Sequence, residues 1–448
     1  MLLSMTIENY RSFADPAVLD MQRRSFQTNL PADGSWTTAT NRIAGLYGPN
    51  ASGKTTVLRS LWALQAAIAR SVQSPGATQG LRDPHALHPE DETFFEVEYV
   101  DGGARYRWAL TLTDEGISSE ELDVVGGAGG STRWRRLYTR TGQEIDFGRH
   151  FAVPKAGKEN IRAFLKPWTL VFSAWSLVRD PGQYAGAVSW WTHRLRFTST
   201  EGYGTDRGHL HRSIVRLMAN PSWNKAAHAV LRAADIGLSS VEIREDKLSE
   251  KTVKLMRKLR DVFEEATDEE SIPDFLIDEM TSDVIRNLEF THTGSSGTFT
   301  LPEGDESRGT QMWLDLALIA VHSLVTGEVL VIDEIDSSLH PALVRFFIDL
   351  FLNEETNPAG AQLVFTSHDL TPLGNALGGR IPEEMIWLVE KRQAESSLVC
   401  LDEYKIAAKS NVEKKYLEGA FGALPIVGDD ISDAITTLWN EVQGDGPP

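Results

Sequence analysis

Hydrophobic and polar positions change their period several times along the chain, and each change predicts a different kind of element. Residues 2–10 alternate roughly as a strand does, and the apolar run Ile43–Tyr47 is typical of a short strand that ends at a glycine-rich turn. Apolar residues then recur every three or four positions, which predicts a helix beginning at about Lys54; they are Val57, Leu58, Leu61, Leu64 and Ile68.

A period of two follows and predicts an antiparallel sheet. Residues 94–100 and 105–112 flank the turn sequence Asp101-Gly102-Gly103, which is typical of a hairpin. Two further strand-like runs, residues 119–125 and 134–139, lie on either side of a glycine-rich stretch.

Residues 160–286 carry mostly helical patterns. The clearest helix is predicted at residues 248–265, with an apolar stripe formed by Leu255, Met256, Leu259, Val262 and Phe263. From about residue 284 onward strands and helices alternate again, which favours a return to an α/β core. We therefore divide the chain into an N-terminal lobe (1–155), a mostly helical insertion (156–285) and a C-terminal lobe (286–448).

Composition narrows the class of protein. The chain has 448 residues, of which 41% are hydrophobic and 24% charged, as in globular proteins. Its single cysteine, Cys400, cannot form an internal disulfide, so we expect a cytoplasmic protein. The most apolar stretch, residues 314–332, contains Asp315, His322 and Glu328, and predicts a buried helix and strand and no membrane span.

The net charge of −19 argues against a globally basic nucleic-acid binder, although it leaves a local basic groove open. Arginines at 133, 135, 136 and 140 could contact phosphates of DNA or RNA, but we interpret them as the solvated face of a strand. His85 and His88, in the loop at residues 83–91, are likewise interpreted as solvated, because no second cluster of metal ligands accompanies them.

The turn after residue 47 carries the strongest chemical signal. Residues 48–55, Gly-Pro-Asn-Ala-Ser-Gly-Lys-Thr, match the P-loop pattern G-x-x-x-x-G-K-[ST] between a strand and a helix. Glycines let the amide hydrogens point at one anion, the helix N-terminus adds a positive dipole end, and the lysine adds a full charge. The predicted nucleotide-binding residues are Gly48, Asn50, Ala51, Ser52, Gly53, Lys54, Thr55 and Thr56, with the Thr55 hydroxyl on Mg²⁺.

A second chemical signal, formed by two acidic residues, lies far downstream. Residues 329–334 are four apolar residues followed by Asp333 and Glu334, as expected of a buried strand that delivers carboxylates to a sheet edge. We expect Asp333 near Mg²⁺ and Glu334 as the group that polarises the attacking water. The Asn224-Lys225 pair lacks the aspartate of a guanine reader, which favours ATP.

The order of these motifs resembles the ABC-type ATPase heads of SMC, RecF and overcoming-lysogenisation-defect proteins. Residues 336–341, beginning at Asp336, resemble the D-loop, and residues 365–369 resemble the switch loop with its histidine, His368. Ser307 and Gly309 resemble the Ser-x-Gly form of the ABC signature, and Arg11 matches an arginine that contacts nucleotide in several such heads.

This resemblance implies a fold, cofactors and an assembly. The implied fold is α/β, an ABC-type ATPase head with a mixed or parallel sheet and an antiparallel β subdomain, split by the helical insertion. It implies ATP and Mg²⁺ as cofactors, and a homodimer or higher homo-oligomer in which Ser307 of one copy closes over the γ-phosphate on the other copy's P-loop. The Q-loop departs from the pattern, since no glutamine directly follows residues 172–175 and the nearest candidate is Gln183.

Residues 413–425 resemble the ending of stand-alone ATPases from bacterial abortive-infection and anti-phage loci, including RloA-like ATPases and the ATPase components of two-gene defence systems. That implies a sensor ATPase that gates a separately encoded effector, a nuclease or toxin. Two alternatives stay open: a DNA repair or maintenance ATPase of RecF or SMC type, and an ATP-bound scaffold with little turnover.

Overall fold

The computed structural model describes residues 1–127, 132–199, 214–234, 237–247, 253, 255, 258, 284–375, 378–407, 410–424 and 430–444. The helix predicted at residues 248–265 falls almost entirely outside these residues, as does Pro425, the last residue of the segment 413–425, which we call the tail motif.

The strands alternate with helices at both ends of the chain and follow one another between residues 93 and 147. The strands are β1 (Leu2–Glu8), β2 (Ala17–Asp20), β3 (Ile43–Tyr47), β4 (Thr93–Asp101), β5 (Ala104–Thr113), β6 (Gly116–Gly126), β7 (Arg135–Thr141), β8 (Glu144–Phe147), β9 (Leu195–Ser199), β10 (Leu238–Lys247), β11 (Val284–Gly294), β12 (Gly297–Pro302), β13 (Val329–Asp333), β14 (Gln362–Thr366), β15 (Ile386–Arg392) and β16 (Glu395–Cys400). The helices are α1 (Trp36–Ala39), α2 (Lys54–Arg70), α3 (Gly76–Gln79), α4 (Lys155–Phe164), α5 (Val171–Ser176), α6 (Gly186–His193), α7 (Pro221–Ala233), α8 (Arg308–Thr326), α9 (Pro341–Leu352), α10 (Val412–Leu417) and α11 (Asp430–Gly444).

The chain forms two compact units. One, the terminal unit, contains residues 2–188 and 366–448; the other, the central unit, contains residues 189–365 together with residue 1.

The terminal unit contains the predicted antiparallel sheet, with strand order β2-β1-β4-β5-β6-β7-β8. Strands β4 and β5 form the expected hairpin, because Gly102 and Gly103 both have positive φ angles (57° and 74°) and Asp101 pairs with Ala104. Trp108 on β5 is fully buried within this unit.

A second group of strands in the terminal unit includes the P-loop strand, β3. Strand β3 is buried at all five positions and runs parallel to β15, which pairs in turn with β16 in an antiparallel hairpin. The hairpin turn, Gln393 and Ala394, has positive φ at both residues (48° and 74°), the geometry that a two-residue turn needs and that glycine and asparagine usually supply.

The central unit contains a parallel group of strands and a separate antiparallel one. Strand β13 pairs in parallel with β14 on one side and with β9 on the other, and β10, β11 and β12 form an antiparallel sheet. Helix α8 ends at Thr326, and the next residue, Gly327, closes the last turn with a φ of 69° and lets the chain enter β13 two residues later. Strands β9 and β10 lie within the stretch that the sequence pattern marks as mostly helical.

The predicted fold class is confirmed: an α/β protein with parallel and mixed strand pairing, a P-loop strand and an antiparallel β sheet. The buried helix and strand expected at residues 314–332 are α8 and β13. Among the described residues, every helix is too short or too polar to cross a bilayer.

Arg140 of β7 corrects one prediction, because it does not lie on a solvated face, whereas Arg133 and Arg136 are exposed as predicted. Arg140 is fully buried: its guanidinium donates to the Lys166 and Thr169 carbonyls and lies 3.6 Å from the Glu120 carboxylate. That carboxylate also accepts hydrogen bonds from Trp108 Nε1 (3.1 Å) and Tyr138 Oη (2.9 Å). Burial raises the pKa of Glu120 and lowers the pKa of Arg140, so each group depends on the other to stay charged.

Candidate functional site

The predicted P-loop is a tight curl between β3 and α2. Gly48, Ala51 and Gly53 have positive φ angles of 157°, 60° and 113°, so the loop turns back on itself before Lys54 begins α2. A Cβ atom on Gly48 would lie 2.2 Å from the Val389 carbonyl oxygen of β15, so any larger residue would displace the loop. Asn50 and Ala51 are exposed at the loop's outer edge, and Thr55 and Thr56 are half-buried in the first turn of α2.

The interior of this loop carries polar groups suited to an anion. Lys54 is buried, and its Nζ donates to the carbonyl oxygens of Gly48 (2.7 Å) and Pro49 (3.0 Å). The Ser52 hydroxyl is also buried and has no hydrogen-bond partner within the part of the chain that the structure describes. A buried lysine, an orphaned hydroxyl and a helix N-terminus at one curl fit the phosphates of a nucleotide.

Ser396, which the sequence did not indicate as a site residue, supports the P-loop through hydrogen bonds. Ser396 on β16 donates from its hydroxyl to the Ser52 carbonyl (2.6 Å) and from its amide to the Ser12 carbonyl (2.6 Å). A Cβ atom on Gly53 would lie 3.0–3.1 Å from Ser396 Oγ, Ser12 Oγ and the Phe13 ring. Ser396 follows Ser52 by 344 positions, so no local pattern could have connected them.

Arg11 is engaged by an acidic residue on a neighbouring loop. Its Nε lies 2.9 Å from Asp83 Oδ2, and its amide donates to the Asp83 carbonyl. The same loop corrects the prediction of a solvated His85, which is only 2% exposed; its amide donates to Asn9 Oδ1 (2.9 Å), and its ring lies 3.3 Å from the Ala394 carbonyl. The loop at residues 83–91 is therefore anchored to the strand ends beside the P-loop.

Residues 366–369 of the predicted switch loop also lie in the terminal unit, beside the P-loop strand. The Ser367 amide donates to the Leu46 carbonyl of β3 (3.2 Å), and the Asp369 amide donates to Ser367 Oγ (3.0 Å). His368 lies between them and is exposed. Gln183, the nearest candidate for the Q-loop, lies in an exposed turn before α6.

The predicted carboxylates lie in the central unit at the end of β13. Asp333 is the last residue of that buried strand, and Glu334 follows with a φ of 56°, in the left-handed region that residues other than glycine rarely adopt. Such a conformation costs about 1–3 kcal/mol and is concentrated at functional sites. The turn that follows Glu334 contains Asp336, whose carbonyl accepts from the Leu339 amide (3.3 Å).

The signature residues lie in the same unit at the start of α8. Ser307 caps this 19-residue helix, accepting a hydrogen bond at its Oγ from the Thr310 amide (3.1 Å). A Cβ atom on Gly309 would lie 3.1 Å from the Ser338 carbonyl, so the helix start packs closely against the turn that contains Asp336. The structure thus brings together Ser307, Gly309 and the predicted D-loop.

A buried acidic residue anchors the start of the carboxylate strand. Glu328 precedes β13 and accepts from Arg196 Nε (2.9 Å), His322 Nδ1 (3.3 Å) and Ser323 Oγ (3.2 Å). Burial raises the pKa of Glu328, but the hydrogen bonds from His322 and Arg196 and the charge of Arg196 outweigh it and hold this pKa at about 2. This carboxylate is therefore ionised at neutral pH and links β9, α8 and β13.

The sequence model of the family described as "AAA domain, putative AbiEii toxin, Type IV TA system" matches residues 43–176 and 206–372. That match covers more than half of the chain and includes both the P-loop and the carboxylate strand. The chain belongs to this family. Together with the P-loop geometry, membership makes it a P-loop protein of the AAA ATPase class. No curated protein matches the chain.

Several solved structures resemble the chain weakly. The SMC head domain from Thermotoga maritima is 12% identical with a TM-score of 0.41, over 89% of this chain and 98% of that one. An SMC head bound to the C-winged helix domain of ScpA is 11% identical with a TM-score of 0.41, over 89% and 96%. An SMC head with an extended coiled coil, bound to the C-terminal domain of ScpA and derived from Pyrococcus furiosus, is 11% identical with a TM-score of 0.38, over 94% and 99%.

Proposed function

We propose that the chain binds and hydrolyses ATP, and that two ATP-bound copies join head to head to control a separately encoded effector, a nuclease or toxin, in anti-phage defence. The observation that carries the nucleotide part is the curled loop at residues 48–53 with its buried Lys54 and the unpartnered Ser52 hydroxyl. The effector part rests on the resemblance of residues 413–425 to the ending of stand-alone ATPases from anti-phage loci.

The P-loop amides and the side chains of Lys54 and Thr55 have defined tasks in this proposal. The amide hydrogens at the start of α2 bind phosphate oxygens, and Lys54 exchanges the carbonyls of Gly48 and Pro49 for the same oxygens. The Thr55 hydroxyl and the Asp333 carboxylate would hold Mg²⁺, which would neutralise phosphate charge.

Glu334 orients the attacking water and accepts its proton. Its left-handed backbone, directly after a buried strand, supports this role because such strain persists where a side chain must be aimed away from the strand's own direction. His368 senses the γ-phosphate from the switch loop, and Arg11 leaves Asp83 to contact the nucleotide.

The exposed start of α8 supports the association of two copies. Ser307 is exposed, and the first amides of a 19-residue helix form a ready anion site. In the proposed dimer, this surface of one copy binds the γ-phosphate held by the P-loop of the other, and hydrolysis separates the copies.

The test uses the Glu334→Gln variant, which keeps the side chain's size but removes its basicity. We expect ATP binding to persist while turnover falls by at least about 100-fold. With ATP and Mg²⁺ the variant should form a dimer or larger assembly in light scattering, and Ser307→Arg should return it to monomer. Lys54→Ala, which removes the phosphate-binding charge, is the control that binds no nucleotide.

The same variant, purified from its native locus and analysed by mass spectrometry, tests the effector. Retention of a neighbouring nuclease or toxin supports the proposal. A monomer that binds ATP and recruits DNA alone would overturn it in favour of DNA maintenance. Wild-type turnover no faster than that of Glu334→Gln would instead favour the scaffold.

A further inference from the structure

The last helix of the described chain displays an apolar stripe to solvent. Ile431, Ile435, Leu438 and Trp439 of α11 are 67%, 60%, 60% and 62% exposed. Their spacing of four, three and one places them on one face of a helix. Soluble proteins rarely leave so many large apolar side chains together in water unless the patch is an interaction site.

The charges of this helix restrict what can cover the stripe. Within residues 430–444 the charged residues are Asp430, Asp433 and Glu441, and the sequence has no lysine or arginine there. A second copy would bring like charges together, and an anionic membrane would repel both the helix and a chain of net charge −19. A protein groove that is apolar at its centre and bordered by lysine and arginine complements both features.

The segment before this helix is anchored to the strand that supports the P-loop. Gly422 packs against the Glu390 side chain of β15, where an added Cβ would lie 2.4 Å from Glu390 Oε1. The Tyr416 hydroxyl donates to the Ala423 carbonyl (2.7 Å), which fixes the turn between α10 and the tail. Strand β15 also carries Val389, whose carbonyl confines Gly48 of the P-loop. The tail motif, as far as Leu424, thus contacts the strand that confines the nucleotide-binding loop.

We propose that α11 is a docking helix for a partner protein whose apolar groove is bordered by lysine and arginine. The identification of that partner as the effector rests on the proposed function, whereas the surface itself rests on the helix.

The experiment compares full-length wild type with the double variant Leu438→Asp/Trp439→Asp, each purified with its genetic neighbours from the native locus. Leu177→Asp is the matched control, since Leu177 is 54% exposed and lies outside α11. We expect the double variant to bind the neighbouring effector at least about tenfold more weakly, with unchanged melting temperature. Leu177→Asp should bind as wild type does, and the wild-type complex should weaken as sodium chloride is raised from about 0.05 to 0.5 M. Hydrogen exchange should show protection of α11 and of an apolar, Lys/Arg-bordered groove on the effector.

The other outcomes separate this inference from the proposed function. An effector retained equally by wild type and the double variant overturns the docking helix and leaves the proposed function standing. If wild type retains no effector, the docking helix and the proposed function are both refuted. Concentration-dependent self-association that the double variant loses would assign the stripe to a second copy. Binding to phosphatidylglycerol vesicles that it loses would assign the stripe to a membrane. Either result overturns the proposal.

Discussion

Ser396 offers a direct test of whether the P-loop depends on support from a distant hairpin. Its hydroxyl donates to the Ser52 carbonyl at 2.6 Å, and its side chain is 6% exposed. Replacement by alanine removes this hydrogen bond but leaves the backbone bond from residue 396 to Ser12. The Ser52 carbonyl then lacks that donor, and the loop can relax away from its curled form before nucleotide arrives.

The size of the effect follows from the bond that is lost. A buried hydrogen bond contributes about 1–2 kcal/mol, and about 1.4 kcal/mol corresponds to a tenfold change in affinity. If part of the free energy of ATP binding is used to restore the curled loop, Ser396→Ala should weaken ATP binding by about 5- to 30-fold. Ser397→Ala is the matched control, because its side chain is exposed on the same strand; it should bind as wild type does.

The assay is a titration with a fluorescent ATP analogue, together with urea unfolding of the nucleotide-free protein. A change in affinity without a comparable change in the free energy of unfolding locates the effect in the loop. The reasoning is refuted if the two variants bind nucleotide within twofold of each other.

Three further outcomes concern stability. Arg140→Met leaves a buried carboxylate uncompensated and should lower the free energy of unfolding by about 3–5 kcal/mol. In urea titrations the half-exposed Arg136→Met should lose only about 0–1 kcal/mol, and equal losses would contradict the buried pair. The folded pKa of Glu328, about 2, is below the ordinary value of 4.5, so its stabilisation is present above pH 4.5 and is lost as pH falls toward 2. Urea unfolding between pH 5.5 and 2.5 should show a loss of roughly 2 kcal/mol, after allowance for solvent screening, that Glu328→Gln lacks; parallel curves would count against it. Gly116→Ala should lower the melting temperature more than Gly102→Ala, because both have positive φ but only at Gly116 would the added Cβ meet backbone, 2.5 Å from the Pro167 carbonyl oxygen; equal shifts would remove the clash argument.

Much of the fold was predictable because its signals are local. The P-loop is eight consecutive residues between a strand and a helix. The two adjacent glycines at 102 and 103 predict the tight turn of the β4–β5 hairpin. The carboxylate strand was equally clear, since a run of apolar residues ending in two acids has few other interpretations. In each case the spacing along the chain already contains the geometry.

Other predictions were wrong because the deciding partner is remote in sequence. The sequence around Arg140 is typical of the solvated face of a strand. In the structure Arg140 is buried, and Glu120 and the carbonyls of Lys166 and Thr169 are its partners. His85 sits in a polar, proline-containing loop, and the side chain that anchors that loop, Asn9, is 76 positions away. Charge and hydropathy alone cannot tell a solvated arginine or histidine from one whose hydrogen bonds are satisfied inside the protein.

The sequence by itself determined that the chain has a P-loop on a strand and helix, a distant pair of carboxylates at a strand end, and an α/β core with an antiparallel sheet. Only the tertiary structure decided how the loop is held: Val389 confines Gly48, and Ser396 holds Ser52. It also decided that Glu334 has a left-handed backbone and that the apolar stripe of α11 faces solvent. The physical reason is that amide curls and periodic stripes arise from neighbouring residues, whereas steric confinement, strain and exposure depend on which distant segments pack together.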